Sequence, residues 1–117
     1  VIDNSVSMYS LQQMIDAGYN ASTGAIGNDT QFKRLSLTNK LVDMFTGNYK
    51  FGVAEFSGNY VNLKKLTDSK TDVKESVNSM KSNWASNANG TNIITALESG
   101  INEFSSDKSM HYLLLLV

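Results

Sequence analysis

The stretch VIDNSVSM, residues 1–8, joins the apolar end of a strand to a short polar turn. Alternate residues of an extended or tightly turning backbone point to the same side. Asp3, Ser5 and Ser7 can therefore present one carboxylate and two hydroxyl oxygens to a single point. Mg²⁺ prefers all-oxygen shells at about 2.0–2.1 Å and keeps water at its remaining positions. Because one carboxylate leaves such an ion under-neutralised, we expect a partner to supply a further anion.

The same residue types are also typical of an ordinary turn. Ser, Asp and Asn cap helices and form local hydrogen bonds in loops, so the D-x-S-x-S pattern taken alone favours a cap over a cation site. The remainder of the chain therefore has to decide between the two interpretations.

Composition and charge limit the classes of function. The 117 residues, 41% of them hydrophobic, suit one domain over residues 1–117. A net charge of −1 with interspersed signs predicts no nucleic-acid partner. The absence of cysteine excludes disulfides and zinc–thiolate sites. No apolar run is long enough to span a membrane. Since the sequence opens on Val1 in mid-strand, we expect the natural N-terminus to be absent.

The order of apolar and polar segments predicts an α/β fold. Residues 1–2 and 51–56 read as buried strands, and residues 60–66 alternate as an exposed edge strand after a hairpin turn at 57–59. Helices are predicted at residues 10–17, at 31–45, from 69 onward, and from a Thr91–Asn92 cap to 104. Residues 112–117 (YLLLLV) read as a strand buried on both faces. The inward face of the last helix is predicted to hold Ile93, Ala96, Leu97, Ile101 and Phe104.

This order predicts an open, doubly wound and mostly parallel sheet with one antiparallel edge strand and helices on both faces. Ligands of such sheets bind beyond the carboxyl ends of the strands. Asp3, Ser5 and Ser7 follow a strand directly and therefore lie where a site is expected.

Four segments together resemble the von Willebrand factor type A (vWA) domain in its bacterial form. VIDNSVSM resembles the D-x-S-G-S-M motif of that family's metal site, and FGVAEFSG, residues 51–58, resembles its second strand. GTNIITALESGINEF, residues 90–104, resembles its G-T-x-[IL]…A-L segment, and YLLLLV resembles its fourth strand. The resemblance covers essentially the whole chain, and it implies an incomplete vWA or Rossmann-like domain, truncated at both ends.

The resemblance implies a metal-ion-dependent adhesion site at Asp3, Ser5, Ser7 and Thr91 that holds Mg²⁺ or Mn²⁺. In that family the serines ligate directly, the Asp ligates directly or through water, and the Thr ligates when a partner is engaged. An acidic residue of a protein partner often completes the shell. Two departures stand out: Val6 replaces the usual Gly, and the chain stops before the T-D-G segment that carries the third metal loop.

Several other residues admit two interpretations. The long segment over residues 8–30 suits either a partner-selecting arm beside the metal or a solvated insertion, and Asp16 and Asp29 within it are predicted to be surface charges. Trp84 is predicted to pack its loop onto the sheet rather than face a partner. Glu55 is predicted to be a charge near the end of the sheet rather than a hydrogen-bond acceptor for the metal-site residues.

The sequence thus predicts a cation-dependent protein-binding module, not an enzyme, because no set of nucleophile, base and acid stands out. The resemblance implies a secreted or cell-surface bacterial protein. The first alternative is a cytoplasmic adaptor that works beside an AAA-type ATPase such as a metal chelatase, and the second is a metal-dependent hydrolase.

Overall fold

The computed structural model describes residues 1–18, 27–83, 89–104 and 109–117. Trp84 lies outside these ranges, so its predicted packing is not addressed. The strands are β1 (Ile2–Asp3), β2 (Phe51–Phe56) and β3 (Tyr60–Thr67). The helices are α1 (Leu11–Asp16), α2 (Lys33–Met44), α3 (Lys70–Asn83) and α4 (Ile93–Asn102), and a single 3₁₀ turn, Val6–Met8, follows β1.

The strands form one mixed sheet in the order β1-β2-β3. β1 runs parallel to β2, with Asp3 opposite Phe56, and β3 runs antiparallel to β2 as the predicted edge strand. On the other side of β1, an isolated parallel bridge joins Ile2 to Leu116. The described residues therefore contain the mixed α/β arrangement that the sequence predicts, with a sheet of three strands and one further bridge.

The main core lies between the sheet and the helices α2 and α3. Consecutive residues of a strand point to opposite faces, so the burial of both Val53 and Ala54 shows that β2 is covered on its two sides. Gly100 of α4 packs against the side chains of Leu113 and Val1. The core between the sheet, α2 and α3 contains Ile2, Leu35, Val42, Val53, Val73, Val77 and Met80.

Two predictions of buried apolar residues are wrong, one for the inward face of α4 and one for residues 112–117. In α4 only Ala96 and Gly100 are buried, because this helix approaches the sheet through its small residues, and Ile94 is 69% exposed. The segment 112–117 makes one bridge instead of a ladder, and Tyr112 is 71% exposed. Other predicted inward or buried residues that remain exposed are Ile93, Leu97, Ile101, Leu114 and Val117.

Helix α1 is short and depends on its first turn. The Ser10 side chain accepts a hydrogen bond from the Gln13 amide, and the Gln13 side chain accepts one from the Ser10 amide. We expect Ser10→Ala to lower the free energy of unfolding by about 1 kcal/mol, since it removes one half of this capping box. Ser36→Ala, on an exposed face of α2, is the control and should change it by less than about 0.5 kcal/mol. Urea denaturation of the two variants measures both values, and equal losses would contradict the capping role.

Candidate metal centre

The turn after β1 brings three of the four predicted site residues into contact. Asp3 and Ser5 are buried, and the Asp3 carboxylate accepts hydrogen bonds at Oδ1 from both the amide and the hydroxyl of Ser5. The hydroxyl oxygens of Ser5 and Ser7 lie 3.4 Å apart, and Ser7 is exposed at the surface. The turn forms because the Met8 amide donates to the Ser5 carbonyl, which closes one 3₁₀ turn directly after the strand.

Thr91 lies in the neighbouring loop, which is fixed to the end of β2. The Gly58 amide donates to the Asn89 carbonyl at 2.8 Å, and the Asn92 amide donates to the Ser57 carbonyl at 2.6 Å. A Cβ on Gly58 would lie 2.4 Å from that Asn89 oxygen, so a larger residue does not fit there. The same end of β2 accepts the Asn4 amide through the Phe56 carbonyl. Both loops are thus hydrogen-bonded to the chain at the same end of β2.

The structure shows which residue of the predicted Thr91–Asn92 cap begins α4. Asn92 is the N-cap, and its side-chain oxygen accepts a hydrogen bond from the Thr95 amide at 3.1 Å. Thr91 precedes this cap and is exposed. Of the two residues of the predicted Thr91–Asn92 cap, Asn92 therefore makes the capping hydrogen bond.

The arrangement of oxygens fits a small hard cation. Adjacent oxygens around an octahedral Mg²⁺ at about 2.0–2.1 Å lie about 3 Å apart, so the 3.4 Å between the two serine hydroxyls needs only a small adjustment. In the described part of the chain, no cluster of three or more His, Cys, Asp or Glu side chains could hold a metal ion. A site in the 3–7 turn would therefore depend on hydroxyl oxygens as well as on Asp3.

A buried polar network beneath this turn was not foreseen from the sequence. The Asn4 amide group donates to Glu55 Oε2 at 2.7 Å, and its oxygen accepts from the Tyr9 hydroxyl and from Arg34. Arg34 also pairs with Asp29, whose carboxylate lies 2.8 Å away. Asp29, predicted to be a surface charge, is mostly buried, with a side chain that is 13% exposed, and its carboxylate also accepts the amides of the first turn of α2.

Glu55 does lie near the end of β2, but it is buried and accepts a hydrogen bond from Asn4, which agrees better with the less favoured interpretation, a partner of the residues in the turn. Its occurrence in an otherwise apolar strand was the available signal. Burial raises the pKa of Glu55 above its ordinary value, against the opposing effects of the Asn4 hydrogen bond and the Arg34 charge. Burial also acts to raise the pKa of Asp29, but the hydrogen bonds from Arg34 and Lys33 outweigh it and lower that pKa.

These two shifts give opposite dependences of stability on pH. Because the pKa of Glu55 is raised in the folded state, its contribution to stability is complete below its ordinary pKa of 4.5 and is lost as the pH rises through the folded value. Asp29 acts in the other direction, since its contribution is lost only as the pH falls from its ordinary pKa of 3.8 through a lower folded value.

We expect the free energy of unfolding of the wild type, minus that of Glu55→Gln, to decrease as the pH rises from about 4.5 to 7. The Gln amide removes the titrating group while keeping an oxygen for Asn4. Urea denaturation at several pH values measures the difference. Glu75→Gln, on an exposed part of α3, is the control for loss of a glutamate. A difference that grows with pH would show that the Glu55 carboxylate is stabilised, not destabilised, by its surroundings.

The chain is similar to a solved structure described as an aerotolerance-related membrane protein from Bacteroides fragilis NCTC 9343 with multiple mutations to serines. The TM-score is 0.68 and the identity 22%, over 92% of this chain and 45% of that one. The two chains share a fold. The present chain spans less than half the length of that structure.

The sequence matches no protein-family model, and no curated protein matches it. Within the part of the chain that the structure describes, none of the helices has the length and apolar character needed to cross a membrane.

Proposed function

We propose that this chain is a divalent-cation-dependent protein-binding module of the vWA type. The observation that carries the proposal is the contact between the Asp3 carboxylate, the Ser5 hydroxyl and the Ser7 hydroxyl at the carboxyl end of β1. Carboxylate and hydroxyl oxygens in this number suit Mg²⁺ or Mn²⁺ better than Zn²⁺, which prefers nitrogen and sulfur ligands. Thr91 would add its hydroxyl from the adjacent loop.

The partner follows from the charge at such a site. Asp3 is the one acidic member of the proposed ligand set, so a bound divalent cation retains positive charge at the exposed Ser7 side of the turn. An acidic residue of a protein partner would neutralise that charge and occupy a position otherwise filled by water. The cation supplies the attraction for that carboxylate, while the chain's own oxygens orient the cation toward the surface.

The fold likeness supports this proposal at the level of architecture only. The turn directly follows β1, at the carboxyl end of a strand, where ligands of α/β sheets bind. We propose a binding role and not catalysis, and display on a bacterial cell surface or in a secreted protein. The description of the Bacteroides neighbour as a membrane protein accords with a surface setting.

Calorimetric titration tests the proposal. Mg²⁺, Mn²⁺ and Zn²⁺ are titrated separately into the chain, and we expect binding of Mg²⁺ or Mn²⁺ that weakens at least about 10-fold in the double variant Ser5→Ala/Ser7→Ala. The double variant Ser36→Ala/Ser79→Ala removes two hydroxyls from helices α2 and α3 and should leave the affinity unchanged. Tight Zn²⁺ binding that persists after the loss of the Ser5 and Ser7 hydroxyls would contradict the proposal.

A further inference from the structure

Arg34 is the hub of the buried network beneath the 3–7 turn. This side chain is 8% exposed, although arginine is almost never buried without partners. Its Nε donates to the main-chain carbonyl of Asp3 at 2.7 Å, and one terminal nitrogen donates to the Asn4 side-chain oxygen at 2.8 Å. The guanidinium therefore contacts the backbone of the proposed metal ligand and the residue that follows it.

The other end of the guanidinium is fixed by Asp29. The second terminal nitrogen pairs with Asp29 Oδ2 at 2.8 Å, and the Arg34 amide donates to the same oxygen at 3.0 Å. The Arg34 guanidinium also lies over the Tyr9 ring, 5.4 Å from its centroid. All these contacts hold one orientation of a planar group, which a lysine ammonium cannot reproduce.

The same hub connects the long segment over residues 8–30 to the turn. Where that segment returns toward α2, the Asn28 amide donates to the Ser7 carbonyl at 2.9 Å and the Asp29 amide donates to the Met8 carbonyl at 3.0 Å. Asp29 thus contacts the turn through its main chain and Arg34 through its side chain.

Phe32, two residues before Arg34, has a left-handed backbone with a φ of 56°. This conformation is uncommon for a bulky residue and persists only where the surroundings enforce it. Its ring packs edge-on against Tyr9. The entry to α2 is therefore held in a strained conformation two residues before Arg34.

We propose that Arg34, held by Asp29, is a positioning residue that fixes the conformation of the 3–7 turn and thereby sets the affinity of the site for its cation. Arg34 acts through the Asp3 carbonyl and the Asn4 side chain, so it reaches the ligand oxygens only through the backbone. The part that concerns affinity rests on the proposed cation site. The part that concerns the conformation of the turn does not.

The test compares three variants of the chain in two measurements. Arg34→Gln removes the charge and most of the contacts, and Arg34→Lys keeps the charge without the planar geometry. Val42→Ala destabilises the core at the far end of α2 and is the control for a general loss of stability. Calorimetry measures the affinity for Mn²⁺ alone, and amide hydrogen exchange without added metal measures protection of the Ser5 and Met8 amides, which are hydrogen-bonded within the turn.

We expect Arg34→Gln to weaken Mn²⁺ binding by about 10- to 100-fold and to accelerate exchange at Ser5 and Met8, with Arg34→Lys intermediate. Val42→Ala should lower the stability to unfolding without either effect. If the wild type binds no Mn²⁺, the proposed function fails, while exchange at Ser5 still decides the role of Arg34. Exchange that is unchanged in Arg34→Gln, or that rises equally in Val42→Ala, overturns the inference about Arg34.

Discussion

Thr91→Ala is expected to abolish cation-dependent binding of a carboxylate, whereas Thr91→Ser is expected to retain most of it. Under the proposed function, Thr91 donates its hydroxyl oxygen to the cation when an acidic group of the partner is engaged. Serine keeps that oxygen and loses only a methyl group, while alanine loses the oxygen itself. Changing a residue that only supports a metal ligand weakens metal affinity by up to about 100-fold. Removing a ligand itself should therefore weaken binding by at least that factor.

The neighbouring Asn92 provides a matched control, because it caps α4 through the Thr95 amide. Asn92→Ala should lower the free energy of unfolding by about 1 kcal/mol and leave binding unchanged. Thr91→Ala should do the reverse, since the Thr91 side chain is exposed and takes no part in the cap.

Calorimetric titration of acetate into the Mn²⁺-loaded chain measures binding of the simplest carboxylate, and urea denaturation measures stability. If Thr91→Ala binds acetate as the wild type does, Thr91 is not a ligand and the proposed site shrinks to the 3–7 turn. If Thr91→Ala and Asn92→Ala lose equal stability, the assignment of the cap to Asn92 is wrong.

The local parts of the fold could be predicted from the sequence because their causes are local. Ser10 and Gln13 form a capping box within four residues, and the predicted short helix appears as α1. The hairpin turn at residues 57–59 connects β2 to the antiparallel edge strand as its spacing predicts. The contact of Asp3, Ser5 and Ser7 also follows from a spacing of two residues on a turning backbone.

The buried network could not be predicted in the same way, because its members are far apart in the sequence. Arg34 reaches Asn4 across 30 residues, and Asn4 reaches Glu55 across 51. Asn4 and Arg34 alone resemble ordinary surface residues, and only Glu55, in an otherwise apolar strand, gave a signal. Only the fold shows that Asp29, Arg34 and Glu55 are joined in one network beneath the 3–7 turn, where burial makes hydrogen-bond partners for each charged group necessary.

The exposure of α4 has a different cause. Its apolar residues occupy more than one face, and periodicity alone does not say which part of so wide a stripe contacts the sheet. Close approach selects the smallest residues, so Ala96 and Gly100 lie against the sheet and the larger side chains remain outside.

We expect the 117-residue chain to self-associate through this exposed surface. Ile94 and Ile101 of α4 are 69% and 60% exposed. They are seven residues apart, which places them on one face of the helix, opposite the buried Ala96 and Gly100. Fully burying one such side chain contributes about 1.5–3 kcal/mol. Within the described ranges, the segment 112–117 is bridged to β1 and to no other strand, which leaves backbone groups open to addition of a strand from a second copy.

Light scattering across a range of protein concentrations measures the association, and the expected result is a mass that rises with concentration. The double variant Ile94→Lys/Ile101→Glu should lower that mass toward the monomer, since it places charges of both signs on the exposed face of α4. Leu37→Lys/Met44→Glu is the matched control, with the same spacing of seven residues on exposed positions of α2, and it should leave the association unchanged. A wild-type chain that stays monomeric at every concentration would show that the α4 surface does not drive association. An equal effect of the two double variants would show that added charge alone, and not the loss of the α4 surface, keeps the chain in solution.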